Sequence, residues 1–110
     1  MTQKRPNRAE EANKRLGWRK IAEEATVDAY GEYEQITSWE EYLGSRITLP
    51  CDCRVDKKEG TLLNFGTDKY GSTLLAVIKV DGNKYKVDAT TVTILDRKSS
   101  KYLDAFKKWL

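Results

Sequence analysis

STLLAVIKVDGNKYKVDA, residues 72–89, is the stretch that most directly predicts the fold. Its centre is Asp81-Gly82, a pair that accepts the positive φ angles of a type I′ turn. An apolar segment precedes the pair, and NKYKVDA follows it. In that second segment, Tyr85 and Val87 are expected on one face and the lysines on the other. The stretch therefore predicts an antiparallel β-hairpin.

Similar short segments surround this hairpin. RITLPCDCRV (46–55), GTLLNFGT (60–67) and TVTILD (91–96) are rich in Val, Ile, Thr and Leu, and Gly, Asp and Asn interrupt them. A further turn is expected over residues 68–71, Asp-Lys-Tyr-Gly. Five short strands within about fifty residues predict a small, strongly bent antiparallel barrel of the SH3-like kind.

The first half of the chain has the spacing of helices. Apolar residues recur at intervals near 3.6 from Ala9 to about Tyr30, which predicts a helix that stops or bends at Gly31. Pro6 and Asn7 are a plausible start for it, and Gly17 is a point where it could break.

A second, shorter helix is predicted from Trp39 to Leu43. Thr37 and Ser38 each stand three residues before a Glu, which is the capping-box pattern. Gly44 would cap the C-terminal end.

The C-terminal segment SSKYLDAFKKWL predicts a third helix. One apolar stripe is expected to cover the barrel, with charged residues opposite it. The stripe consists of Tyr102, Leu103, Phe106, Trp109 and Leu110.

Together these elements predict an α+β protein with N-terminal helices, a five-stranded SH3-like barrel and a C-terminal helix. Residues 1–110 are expected to form one domain. It would contain a helical arm with an acidic junction (1–44), the barrel (45–96) and the last helix (97–110). No apolar run is long enough to span a membrane, and no apolar run follows the basic N-terminus as in a secretory signal. A cytoplasmic location is expected.

Charge is unevenly distributed along the chain. Residues 1–20 carry seven Lys and Arg against two Glu, a net charge of +5. Residues 21–60 carry four against ten Asp and Glu, a net −6, and residues 61–110 carry nine against five, a net +4. The acids concentrate in VDAYGEYEQITSWEEYL, residues 27–43, which contains no Lys or Arg. Either the fold neutralises this stretch internally, or it faces a positively charged ligand.

The residue types argue against catalysis and against zinc. The chain has no His, so it lacks the commonest general base and every Ser-His or Cys-His pair. Cys51 and Cys53 are the only cysteines, too few for a structural zinc site. They are expected to be reduced, partly buried thiols.

Acids around a glycine could instead hold a hard cation such as calcium, which prefers oxygen ligands. Asp28 and Glu32 would lie one helical turn apart, and a bend at Gly31 could bring Glu34 to the same site. Glu40 and Glu41 are added as candidate ligands because they are near in sequence. The alternative at this point is an acidic surface that is solvated or paired with the basic N-terminal helix.

Residues 27 to about 54 resemble the signature of the CcbP-like calcium-binding family. The matching pieces are Val27-Asp28-Ala29-Tyr30, Glu32, Glu34, Trp39, Tyr42-Leu43, Pro50 and, more loosely, Arg54. The acid run of that family is denser, with further acids where this chain has Gly31 and Tyr33. The resemblance implies a helical segment leading into a small barrel, and calcium ligands at Asp28, Glu32 and Glu34.

The predicted function is thus a small calcium-binding protein, a buffer or a switch. Two alternatives remain open on the sequence alone. One is a metal-independent protein-interaction module or inhibitor with segregated acidic and basic faces. The other, less favoured, is nucleic-acid binding through the basic arm (Lys4 to Lys20) and lysines of the barrel. The aromatic residues Tyr30, Tyr33, Trp39 and Tyr42 are predicted mainly as core that docks the helices on the barrel.

Overall fold

The computed structural model describes residues 8–110, with side chains from Gly17 onward. It contains three helices and five strands, and the predicted α+β class is confirmed. The helices are α1 (Arg8–Ala25), α2 (Glu32–Arg46) and α3 (Arg97–Trp109). The strands are β1 (Cys51–Val55), β2 (Lys58–Thr67), β3 (Leu74–Val80), β4 (Asn83–Asp88) and β5 (Val92–Ile94). The predicted start at Pro6-Asn7, together with Lys4 and Arg5 of the basic arm, lies outside the described residues.

All strands pair antiparallel in one sheet of order β4-β3-β2-β1-β5. The β3–β4 hairpin turns at Asp81 and Gly82, whose φ angles are 51° and 82°. Both angles are positive, as a type I′ turn requires, so the predicted hairpin is confirmed. The predicted turn at 68–71 is also present, since the Gly71 amide donates to the Asp68 carbonyl at 3.0 Å.

The sheet has to curl. Its edge strands β4 and β5 would lie roughly 19 Å apart if the sheet were flat. Only a three-residue 3₁₀ turn, Ala89–Thr91, connects them, and such a turn advances roughly 6 Å. The two edges are therefore brought together, which is the barrel-like bend that the short strands predict. A register shift between Leu62 and Asn64 in β2 adds to the bending.

The core lies between the concave sheet and the helices. α2 packs on β2 and β3, α3 on β5, and α1 mainly on α3. Trp39 is fully buried and forms edge or tilted ring contacts with Tyr42, Phe106 and Trp109. The largest fully buried side chains are Trp39, Phe106, Leu43, Leu62, Leu74, Leu103, Val92 and Cys53. Both cysteines are free thiols, as expected.

The first helix ends earlier than predicted. α1 runs unbroken through Gly17 but stops at Ala25, not near Tyr30. Thr26 begins the turn, and its hydroxyl donates to the Ala22 carbonyl at 2.8 Å. The Ala29 amide then donates to the Thr26 carbonyl at 3.0 Å. Thr has a low helix propensity and a hydroxyl that bonds locally, so the helix gives way to a turn here.

The second helix is much longer than the predicted Trp39–Leu43. Thr37 and Ser38 lie inside α2 rather than capping it, and Gly44 lies in its last turns rather than after its end. Ile36, Trp39 and Leu43 form a buried stripe at helical spacing. Burial of this stripe outweighs the local capping pattern, so the capping prediction was wrong.

The predictions that Tyr30 and Tyr33 belong to the core, and that Leu110 belongs to the apolar stripe of the last helix, were wrong. Tyr30 is 87% exposed and Tyr33 is 60% exposed, so neither belongs to the core. Leu110 is 65% exposed, beyond the last residue of α3. The other members of the aromatic group and of the C-terminal stripe pack in or against the core.

No helix within residues 8–110 combines the length and the hydropathy that crossing a membrane demands.

Candidate metal site

The outward face of α2 and the turn that follows α1 line an open cavity of about 520 Å³. Its three acids, Asp28, Glu34 and Glu41, come from these two segments. Glu34 and Glu41 are seven positions apart, so they lie within about 20° of each other around the helix. Asp28 faces them from the turn. The lining residues are Asp28, Ala29, Tyr33, Glu34, Thr37, Ser38 and Glu41.

A second cavity of about 450 Å³ adjoins the first. Asp28, Ser38 and Glu41 line both. The second cavity adds Glu24 from the last turn of α1, together with Tyr42 and Ser45 of α2. The two adjacent cavities are together called the acidic groove, which is defined by the four carboxylates Glu24, Asp28, Glu34 and Glu41.

Hydrogen bonds fix the backbone on both sides of the groove. The Ser38 hydroxyl donates to the carbonyl of Ala25, a group that the end of α1 leaves without a helical partner. At the other end, a carboxylate oxygen of Glu34 (Oε2) accepts from the Tyr30 amide at 3.1 Å. The end of α1 and the turn are thus each tied to α2 by a hydrogen bond.

The groove is electrostatically negative and solvated. All four carboxylates belong to exposed residues, and the C-terminal end of α1 adds partial negative charge from its free carbonyls. A cation at its edge is Arg46, which pairs with Glu24. Four acids facing one depression repel each other, so the groove favours a bound cation.

Of the predicted ligands, the structure brings together Asp28, Glu34 and Glu41. Glu32 and Glu40 are absent from the groove lining. Around α2, Glu32 lies about 160° from Glu34, and Glu40 lies about 120° from it. Because α2 is one long helix, acids close in sequence point in different directions.

Sequence reasoning did not include Glu24. A signal for it was present, since Glu24 lies four residues before Asp28 and just outside the acid-rich stretch. Thr37 and Ser38 were interpreted as helix caps, whereas their hydroxyls line the groove. The correct length of α2 was needed to place Thr37 and Ser38, and the correct end of α1 was needed to place Glu24.

The donor set fits a hard cation. Carboxylates, hydroxyls and backbone carbonyls are the oxygen ligands that calcium takes, six to eight at a time. Within residues 17–110, no three Asp, Glu or Cys side chains already stand close enough to hold a metal ion together. The groove carboxylates are exposed and can rotate about their side-chain bonds, so an ion would draw them inward.

The surroundings of the two cysteines disfavour the thiolate form. Burial, with a smaller contribution from the neighbouring Cys53, raises the pKa of Cys51 to about 11. Burial likewise raises the pKa of Cys53. Both thiols stay protonated at neutral pH, and the thiolate is the form that binds metals.

Comparisons with known proteins identify the family and the fold of this chain. The family model Calci_bind_CcbP, described as "Calcium binding", matches residues 19–110. A solved structure described as a calcium-binding protein in the calcium-binding form superposes with a TM-score of 0.73 at 16% identity, covering 88% of this chain and 91% of that one. The crystal structure of Anabaena CcbP gives a TM-score of 0.70 at 15% identity, covering 99% of this chain and 94% of that one. Among curated proteins, none matches this sequence.

Proposed function

Because this chain belongs to the CcbP family of calcium-binding proteins, we propose that it binds calcium in the acidic groove. The carboxylates of Asp28, Glu34 and Glu41 would act as ligands. The hydroxyls of Thr37 and Ser38 are further oxygen donors in the same cavity.

One observation carries this assignment of ligands. Acids from two separate segments, the turn after α1 and the outward face of α2, line a single cavity. A merely solvated acidic surface would spread its charges over several faces, as Glu32 and Glu40 do on the same helix. The family assignment favours neither the metal-independent interaction module nor nucleic-acid binding.

A bound calcium ion would supply positive charge that offsets the repulsion among the carboxylates. The residues of this chain do the rest. Asp28 would tie the turn to α2, and Glu34 already holds the Tyr30 amide from the opposite side. Binding would therefore stiffen the junction between α1 and α2, which suits either a buffer or a switch.

Isothermal titration with calcium tests the ligand set. We expect Asp28→Asn, Glu34→Gln and Glu41→Gln each to weaken calcium binding by about tenfold or more, because each removes a charged oxygen ligand. The matched controls are Glu32→Gln and Glu40→Gln, which change the net charge equally but lie outside the groove lining. Equal losses in controls and groove variants would contradict the proposed site. The absence of calcium heat in the wild type up to millimolar concentration would contradict the function itself.

Thermal unfolding gives an independent readout. A ligand that binds only the native state, present at about one hundred times its dissociation constant, adds about 2.7 kcal/mol to the free energy of unfolding. For a chain of this size we expect the melting temperature with calcium to exceed that with chelator by about 10 °C. The increase should disappear in the Asp28→Asn/Glu41→Gln double variant.

A further inference from the structure

Arg46, in the last turn of α2, lies at one end of the acidic groove. Its guanidinium pairs with the carboxylate of Glu24, across the gap between α1 and α2. The same guanidinium also lies over the ring of Tyr42, at 5.2 Å from the centroid. One of the four groove carboxylates is thus already paired with a cation of the same chain.

Glu24 shares its cavity with two of the proposed ligands. Asp28 and Glu41 line the cavity in which Glu24 takes part. Burial of Tyr42, followed by the nearby charge of Glu24, raises the pKa of that phenol. The charge of Arg46 opposes this effect and lowers the same pKa, so both members of the ion pair act on Tyr42 in the lining of the groove.

We propose that Arg46 competes with calcium for Glu24 and thereby sets the calcium affinity of the groove. The inference rests on the proposed function, because it assumes that calcium enters this depression. In the calcium-free protein, Arg46 neutralises Glu24. In the calcium-bound protein, Glu24 is released from Arg46 and adds its charge to the ligand field.

Breaking the Arg46–Glu24 pair costs little free energy, because Arg46 has other favourable contacts. Its side chain is 46% exposed and that of Glu24 is 53% exposed, so the pair is of the weak, solvent-screened kind. After release from Glu24, the guanidinium still contacts the face of the Tyr42 ring and still interacts with the negative end of the α2 dipole. Arg46 can move away from Glu24 without leaving the helix end.

The test is Arg46→Met, which keeps the aliphatic part of the side chain and removes the charge. We expect calcium binding by titration calorimetry to become about two- to five-fold tighter, the range of an exposed ion pair. The matched control is Arg54→Met. The side chain of Arg54 is 49% exposed and pairs with Glu59 at 3.5 Å on the sheet. Its substitution therefore removes the same charge as Arg46→Met but lies away from the groove.

A double-mutant cycle shows whether Arg46 acts through Glu24. Glu24→Gln alone should weaken calcium binding, and adding Arg46→Met to it should change the affinity less than Arg46→Met does in the wild type. A second readout needs no calcium. In chelator, Arg46→Met should lower the melting temperature slightly, because the four acids then repel each other without a counterion.

The outcomes separate the two proposals. Unchanged or weaker calcium binding in Arg46→Met, with normal binding in the wild type, would overturn the inference and leave the proposed function intact. An equal gain in Arg54→Met would also overturn it, since the effect would then be general charge. If neither wild type nor Arg46→Met binds calcium, both proposals fail.

Discussion

At the scale of single residues, Gly60 shows how closely two strands of the sheet approach. A Cβ atom added there would lie 2.7 Å from the carbonyl oxygen of Lys79 and 2.8 Å from Cγ2 of Val80. Both distances are below van der Waals contact, and one of the neighbours is backbone, which cannot move aside cheaply. The strand β2 therefore requires glycine at this position because of its neighbours, not because of its φ angle.

We expect Gly60→Ala to lower the free energy of unfolding by about 1–3 kcal/mol, the cost of overpacking. Urea denaturation measures the difference. Gly66→Ala is the matched control, since Gly66 lies in the same strand and a Cβ there meets nothing within 4 Å. If the two variants were equally stable, the close approach at Gly60 would not govern stability.

At the scale of elements, the start of α3 is fixed by one side chain. Asp96 accepts from the Lys98 amide at 3.3 Å and from the Ser99 hydroxyl at 3.0 Å. Ser99 is a buried polar residue, so this contact also satisfies a hydroxyl that water cannot reach. The position of α3 matters because its stripe packs on α1, α2 and β5.

Asp96→Ala should destabilise the protein by about 1 kcal/mol, the usual value of a lost N-cap. Chemical denaturation again provides the measurement. Asp104→Ala removes the same charge from an exposed position inside α3 and is the control. An equal loss in both variants would show that charge, rather than capping, is responsible.

The elements also show where prediction from sequence succeeds. The Asp81-Gly82 hairpin was predictable because the turn depends on the backbone preferences of two adjacent residues. The length of α2 was not, because its boundaries depend on Ile36, Trp39 and Leu43 finding a partner surface. Local capping patterns at Thr37 and Ser38 are worth about 1 kcal/mol each, and burial of the stripe is worth several times more.

At the scale of the whole molecule, three groups within residues 17–110 make the free energy of unfolding depend on pH in the alkaline range. Burial is the first cause of a raised pKa for Cys51, Cys53 and Tyr42. In each case the folded protein favours the protonated, neutral form. A group of this kind contributes stability that is fully present below its unfolded pKa and is lost as pH rises through its folded pKa.

For Cys51 this window runs from 9.0 to about 11. We expect the free energy of unfolding to fall as pH rises through the window, and to fall less steeply in Cys51→Ala, which lacks the titrating thiol. Denaturation curves between pH 8 and pH 11 measure the slope. Parallel slopes in wild type and variant would contradict the burial of this thiol as the cause.

The sequence by itself determined the fold class, the hairpin and the calcium-binding family. These depend on local backbone preferences, on apolar spacing and on the signature around Val27-Asp28-Ala29-Tyr30. It also predicted that acids would gather near the junction of helix and sheet, with Asp28 and Glu34 among the candidate ligands.

Only the tertiary structure decided which acids line the groove. Extending α2 to Glu32–Arg46 turns Glu34 and Glu41 to one face and Glu32 and Glu40 to others. The last turn of α1 places Glu24, and the turn that begins at Thr26 places Asp28, in the same groove. The physical reason is that the direction of each carboxylate follows the phase of its helix, and burial of the Ile36, Trp39 and Leu43 stripe against the sheet sets that phase.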